Sequence, residues 1–232
     1  GAGGLPYDTH IDVVHETAKY LYDKVTPAIP MTHVDAFCAA RGDKCAAWAA
    51  SKDAARKSHG LDWSDVVIAV KTTAMFHDSS NPDKDRVAVI KATWGKEPTP
   101  CTVVYTSDAV DATYNTIDIG VNTKKGHCAK TQKILEYFMR EHKDKKWFVI
   151  ADDDTLFYLP RLKRVLDSYD PAQPIYLGER YGYGRIGQGG GGYDYVTMGG
   201  GVALSREALK RKLACTFCTC PRPDMFDDMQ MG

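Results

Sequence analysis

Residues 145–162 read KKWFVIADDDTLFYLPRL. Five apolar residues, Trp147–Ala151, run directly into three consecutive aspartates, Asp152, Asp153 and Asp154. A short run of this kind, rich in β-branched and aromatic side chains, is a buried strand. Three adjacent carboxylates at its end repel one another, so each requires solvent or a positive partner. The stretch therefore predicts a strand that delivers a charged site at its carboxyl end.

Outward from this strand the same alternation repeats. DVVIAVKTT (65–73) and CTVVYTSD (101–108) read as strands, and PIYLGER (174–180) as a further one. Between and after them, DRVAVIKATWG (85–95), HCAKTQKILEYFMREH (127–142) and LPRLKRVLDSYD (159–170) have helical spacing, the first closed by Gly95. Alternating strands and helices predict an α/β fold with a largely parallel, doubly wound sheet, which binds ligands at the carboxyl ends of its strands. Ahead of it, residues 9–24 and the alanine-rich 35–58 read as helical, giving a small helical N-terminal lobe over 1–60 and a second domain over 61–232. The glycine-rich stretch 178–205 places two patches, 189–192 and 199–201, around YDYVTM. It predicts a tight loop whose backbone approaches something closely, with a flexible surface loop as the alternative for 187–192.

The 232-residue composition narrows the class. Thirty basic and thirty acidic residues cancel, so no global field directs the chain to nucleic acid or an anionic membrane, and an anionic ligand needs a local site. No apolar run has the length of a membrane span, and the opening GAGGLPYD has no signal-peptide pattern. Seven cysteines, three of them in LACTFCTCP, favour structural disulfides and a secretory compartment. A zinc reading of Cys215 and Cys218 lacks a second ligand pair. An odd count leaves at least one thiol outside the internal pairs.

Two chemistries fit aspartates at a strand end. VIADDDTL is similar to the hhhhDxDxT pattern of haloacid-dehalogenase-type phosphatases, but that alignment puts Ala151 at the nucleophile position, and alanine cannot replace a carboxylate nucleophile. The other is a D-x-D site, where Asp152 and Asp154 hold a divalent cation such as Mn²⁺ or Mg²⁺ beside a nucleoside diphosphate. An acidic turn, or Asp154 as a helix N-cap, is the ordinary structural alternative. PRPDMFDDMQMG (221–232) adds Asp227 and Asp228, either of which can serve as a base.

DVVIAVKTT, FHDSS with RVAVIKATW, GHCAKTQKILEYF, WFVIADDDTL, YLGERYGYG, GGYDYVTMGGGVALSREALKR and FDDMQMG occur in this order. Together they resemble the Fringe-like β-1,3-glycosyltransferases. GHC, DDDTL and LGERYGYG resemble the branch that adds glucose to O-linked fucose on thrombospondin type 1 repeats. The resemblance implies a glycosyltransferase A-type fold, a UDP-sugar donor, Mn²⁺, inversion at the anomeric carbon, fucosylated protein repeats as acceptor and the endoplasmic reticulum lumen. It implies Asp154 as principal metal ligand, with Asp152 and Asp153 on metal or ribose, and Asp228 as catalytic base, with Asp227 as second choice. It places Lys71, Thr72 and Thr73 against the uridine, and Arg86 and Thr93–Trp94 near the donor. Gly199, Gly200 and Gly201 would run beside the donor sugar, and Glu179, Arg180 and Tyr181 would form a wall near donor or acceptor. The family's further C-terminal segment, which carries a metal histidine, has no counterpart by position among the seven histidines, so a fragment is expected. An N-acetylglucosaminyl- or galactosyltransferase, or a non-catalytic glycan-binding module, stays open. The expected cysteine pairs are Cys38–Cys45, and Cys128 with one of the 215–220 cluster.

Overall fold

The computed structural model describes residues 58–122, 126–183 and 192–231. The helix expected over 9–24, that expected over 35–58 save its last residue, the pair Cys38–Cys45 and most of the glycine patch at 189–192 lie outside the described residues. Contacts divide the chain into two compact units.

One unit includes residues 58–61, 89–98 and 156–170. Its apolar centre holds Ile90, Trp94, Leu159 and Leu166, all buried, with Trp94 edge-on to Phe157 at 5.2 Å between ring centroids. Helix α3 (Leu159–Asp167) ends with Asp167 collecting the Ser58 hydroxyl at 2.6 Å and the Leu61 amide at 2.7 Å. That carboxylate pins the incoming chain.

The other unit carries the sheet. Its strands are β1 (Val66–Lys71), β2 (Thr102–Ser107), β3 (Thr116–Asp118), β4 (Trp147–Asp152), β5 (Tyr176–Leu177), β6 (Glu179–Tyr183), β7 (Tyr193–Thr197) and β8 (Val202–Ser205). Six of them form one sheet in the order β3-β2-β1-β4-β8-β5. Strands β1, β2, β3 and β4 run parallel, whereas β8 is antiparallel to both β4 and β5. All six residues of β1 are buried, as a central parallel strand covered on both faces requires.

The described helices of this unit are α2 (His127–Glu141), α4 (Arg206–Ala214) and α5 (Asp227–Met231); α1 (Arg86–Ala92) crosses the boundary between units. In the parallel register Val67 lies beside Phe148 and Ala69 beside Ile150. Ile134, Leu135 and Phe138 of α2 and Leu209 of α4 pack on that face, with Phe138 and Phe148 rings 5.3 Å apart. Residues one turn apart on α2 thus form the apolar stripe that its periodicity predicts.

The expected strand over 174–180 is two strands. Tyr176–Leu177 stays in the sheet, while Glu179–Tyr183 leaves it and pairs antiparallel with Tyr193–Thr197 in a separate ribbon. Gly178 marks the crossing: a Cβ there would lie 2.2 Å from Val196 Cγ1. The described part of the segment read as a glycine loop is consequently three strands, β6, β7 and β8, with a turn at 198–201 between the last two. Gly201, at φ +82°, closes the turn by donating its amide to the Met198 carbonyl at 2.8 Å and sends the chain into β8.

Among the cysteines, Cys128 is bonded to Cys220 and Cys215 to Cys218, so the CTFC spacing is a disulfide and not a zinc half-site. Cys101 is a buried free thiol, pushed up to about 11 by its burial. Among the described residues no helix is long and apolar enough to cross a membrane.

Gly178→Ala is expected to lower the unfolding free energy by about 1–3 kcal/mol, because the added methyl must displace Val196. Urea denaturation of the two proteins measures the difference.

Candidate functional site

The site begins with strand register. β1 and β4 are parallel neighbours, and their last residues, Lys71 and Asp152, are direct partners at the carboxyl edge. Neither end is free in water: the Lys71 side chain is 3% exposed and that of Asp152 29%. Lys71 Nζ lies 2.9 Å from Asp152 Oδ1 as an ion pair without hydrogen-bond alignment. The same ammonium donates a 2.6 Å hydrogen bond to Asp227 Oδ2, which also accepts from the Thr131 hydroxyl at 2.6 Å. Burial alone would pull Lys71 down, but the carboxylates of Asp152 and Asp227 outweigh it and hold the lysine above its ordinary range. Burial would push Asp227 up, and Lys71 and Thr131 instead hold it below the usual carboxylate value.

The second aspartate is turned inward. Asp153 accepts from the Thr72 hydroxyl at 2.8 Å and from Arg86 Nη1 at 2.8 Å. Its burial outweighs both donors, and its pKa is raised. Arg86 Nη1 also reaches Asp154 Oδ2 at 3.1 Å, and its guanidinium stacks over the Phe76 ring at 3.9 Å. The positive partners that three consecutive carboxylates demand are therefore Lys71 and Arg86. Asp154 remains 54% exposed. It caps no helix, since Tyr158 stands at the N-cap of α3.

Asp228 follows Asp227 at the start of α5. Burial and the carboxylates of Asp227 and Asp152 push it up, against the Met229 amide and Lys71. A carboxylate raised in this way is the better proton acceptor of the pair, whereas Asp227 is held by an ammonium.

The glycine turn is fastened to the same edge. Thr155, whose amide closes a turn on the Asp152 carbonyl, donates its hydroxyl to the Gly199 carbonyl at 3.0 Å. A Cβ on Gly200 would lie 3.3 Å from Glu179 Oε2, so Glu179 stands against this turn. Arg180 pairs with Asp194 and Tyr181 lies 6.2 Å from Tyr195, both within the β6–β7 ribbon. α5 packs against β7 and against α2.

Thr73 turns to a neighbouring polar cluster. Its hydroxyl and the Ala74 amide each donate to Asp108 Oδ1 at 2.9 Å, and Asn122 donates to the other oxygen. Burial would raise Asp108, but these donors bring it down to about 2. His77 lies between Ser107 Oγ at 2.7 Å and Asp111 Oδ2 at 3.3 Å. Although this is a Ser–His–Asp line, Ser107 is wholly buried, so the line braces a loop and presents no nucleophile. Thr93 and Trp94 have structural environments in the other unit. The Thr93 hydroxyl donates to the Val89 carbonyl at 2.7 Å, and Trp94 is 1% exposed.

Two side chains absent from the sequence-based list are Lys130 and Thr131. Lys130 is wholly buried and donates to the Thr72 carbonyl; burial first, and then the Lys71 ammonium, bring it down to about 8 against its acidic neighbours. The signal was present: both residues sit one turn before Ile134 and Leu135 on the buried stripe of α2, where polar side chains need partners.

Among the described residues no three His, Cys, Asp or Glu side chains converge as a metal cage. Asp152 and Asp154 nevertheless provide hard oxygen donors that keep solvent access at the strand edge, while Asp153 is closed by Thr72 and Arg86. That donor set fits a divalent cation held in part by other groups. A cavity of about 350 Å³ lies elsewhere, at the start of β4 and α4, lined by Lys146, Arg206 and Lys210. Its Lys146 is paired with Asp65, and its Arg206 is bonded to the Lys145 and Asp144 carbonyls.

Lys71→Met is expected to destabilise the protein by about 3–5 kcal/mol, because it leaves Asp152 and Asp227 without their buried cation; chemical denaturation reads the loss. The folded-state pKa of Asp108 lies below its unfolded value near 4, so the ionised form favours the folded state. Its contribution is complete above pH about 4 and is lost as pH falls towards 2. In Asp108→Asn, acid unfolding followed by circular dichroism should show a weaker pH dependence across that window.

A family model described as Fringe-like matches residues 61–232. The chain is 41% identical over 230 residues to a beta-1,3-glucosyltransferase of Homo sapiens, which covers 98% of this chain and 44% of that protein. A beta-1,3-glucosyltransferase of Mus musculus is 39% identical over 231 residues, with the same shares. The Fringe glycosyltransferase of Drosophila melanogaster is 36% identical over 124 residues, 50% of this chain and 28% of that protein. The chain thus spans less than half the length of the two glucosyltransferases.

Proposed function

This chain belongs to the Fringe-like family, and from that membership we propose that it forms the catalytic part of an inverting β-1,3-glucosyltransferase. The donor is UDP-glucose, and the acceptor is the 3-hydroxyl of O-linked fucose on thrombospondin type 1-like repeats in the endoplasmic reticulum lumen. The observation that carries the reading is the Lys71 bridge, which joins the Asp152 end of the acidic strand to Asp227 and so brings Asp228 to the same edge. The names of the relatives with near-complete coverage of this chain support glucose as the transferred sugar.

In this reading the acceptor oxygen attacks the anomeric carbon from the face opposite UDP. The bond from that carbon to the diphosphate oxygen breaks, and Asp228 takes the acceptor proton. Asp227 stays ionised against Lys71 and fixes the backbone from which Asp228 projects. Asp152 and Asp154 would hold Mn²⁺, which when bound offsets the charge of the leaving diphosphate. Asp153 holds Arg86 against Asp154 at the rim, with Thr72 buried behind it. Lys71, Thr72 and Thr73 line the uridine side. Gly199, Gly200 and Gly201 leave room for the donor sugar, with Glu179, Arg180 and Tyr181 beside it.

Calorimetric titration with UDP is expected to show binding that requires Mn²⁺ and is lost in Asp154→Ala. In the full-length protein, Asp228→Asn is expected to lower turnover by about 10²–10⁴-fold with little change in UDP affinity. Near-normal turnover in Asp228→Asn would sink the base assignment. UDP or glycan binding by the wild type without transfer would support a non-catalytic binding module instead.

A further inference from the structure

A wholly buried lysine beside a second buried lysine is a costly feature. Both lower the preference for a charged ammonium, and α2 continues from this point as an apolar stripe that a methionine would extend. Lys130 nevertheless stands there, 0% exposed, one turn before Ile134. Its ammonium donates to the carbonyl of Thr72, the residue that follows β1. The Thr72 amide donates to the Thr106 carbonyl at 2.9 Å, and its hydroxyl to Asp153 Oδ2 at 2.8 Å. Asp153 in turn holds Arg86 at 2.8 Å, and Arg86 contacts Asp154 at 3.1 Å. A continuous line of polar contacts thus runs from the interior of α2 to the exposed carboxylate at the rim.

We infer that Lys130 is a positioning residue for the donor side of the site: by holding the Thr72 carbonyl it sets the Thr72 hydroxyl against which Asp153, and through it Arg86 and Asp154, are aligned. The inference rests on the transfer reading above, with Asp154 on the donor diphosphate side. Thr131, the next residue, braces the other branch through Asp227. The two neighbours on α2 therefore act on different parts of the site: Lys130 on the donor side, Thr131 on the base-bearing segment.

The test is transfer kinetics of the full-length protein with Lys130→Met, using Lys133→Met as a control on an exposed position of the same helix. Lys130→Met should raise the donor KM on the order of tenfold, the scale of losing a charged hydrogen bond, and leave the acceptor KM unchanged. Lys130→Gln, which keeps a donor for the Thr72 carbonyl, should fall between the two. A folded Lys130→Met with unchanged donor KM, or with donor and acceptor KM raised equally, overturns the inference. If Lys130→Met does not fold, a wild-type donor KM in Lys130→Gln overturns it and a raised one supports it. Absence of UDP binding and of transfer in the wild type tells against the transferase reading itself. Amide hydrogen exchange at Val70–Ala74 then judges Lys130 separately: faster exchange in Lys130→Met or Lys130→Gln supports its anchoring role, and unchanged protection overturns it.

Discussion

The Lys71 ammonium is the contact on which the site depends. It is buried, it ends the central strand, and it holds two carboxylates that lie far apart in the chain, Asp152 and Asp227. Lys71 or Asp227 alone would be a buried, uncompensated charge. The cluster holds Lys71 above its ordinary pKa and Asp227 below its own, so the ionised forms of these two are favoured. The outcome is geometric: the C-terminal helix α5 is tied to the carboxyl edge of the sheet, and Asp228 stands beside the acidic turn that follows β4.

Helix α2 supports this arrangement from below. Its N-cap is Gly126, which has no side chain to satisfy the free amides of the first turn. The Cys128 amide donates instead to the Met225 carbonyl at 3.2 Å and the Ala129 amide to the Pro223 carbonyl at 3.3 Å. The Cys128–Cys220 disulfide and the Thr131–Asp227 hydrogen bond fasten the same segment. An ordinary helix end thereby becomes the dock for the residues that carry the proposed base. In a chain whose parallel sheet supplies one set of carboxylates, the second set has to come from elsewhere, and α2 specifies where.

The β6–β7 ribbon and the Met198–Gly201 turn form another wall of this unit. Gly178 permits the chain to leave the sheet, Gly201 permits it to return, and Thr155 joins the returning turn to the acidic one. The ribbon presents Glu179 to the glycine turn and carries Arg180 and Tyr181, so three residues distant from the aspartates by sequence belong to the elements that flank them. Room for the Val196 side chain at Gly178 and a positive φ at Gly201, and not flexibility, are what these glycines provide.

Much of this was legible in the sequence because it is local. The apolar run before Asp152 is a strand, the period of residues 127–142 is a helix, and the alternation of such segments is an α/β sheet. The family membership, too, follows from the wording of short motifs in order. What lay beyond the sequence was non-local. Periodicity did not separate Tyr176–Leu177 from Glu179–Tyr183, since the break depends on how closely Val196 passes Gly178. YDYVT and VALS are strands because they find partners across the fold, one in a ribbon and one antiparallel to β4. Residues 152–154 announced a need for positive charge, but the identity of Lys71 and Arg86 as the cations depends on strand register and on α1. Lys130 and Thr131 share the helical spacing of Ile134 and Leu135, but their partners, the Thr72 carbonyl and Asp227, come from other elements. The sequence by itself determined which segments are buried and which carry charge, because those follow from hydrophobicity and spacing. Which charges meet was decided only by the tertiary structure, because a buried ion pair is a matter of distance between residues that the chain order keeps far apart.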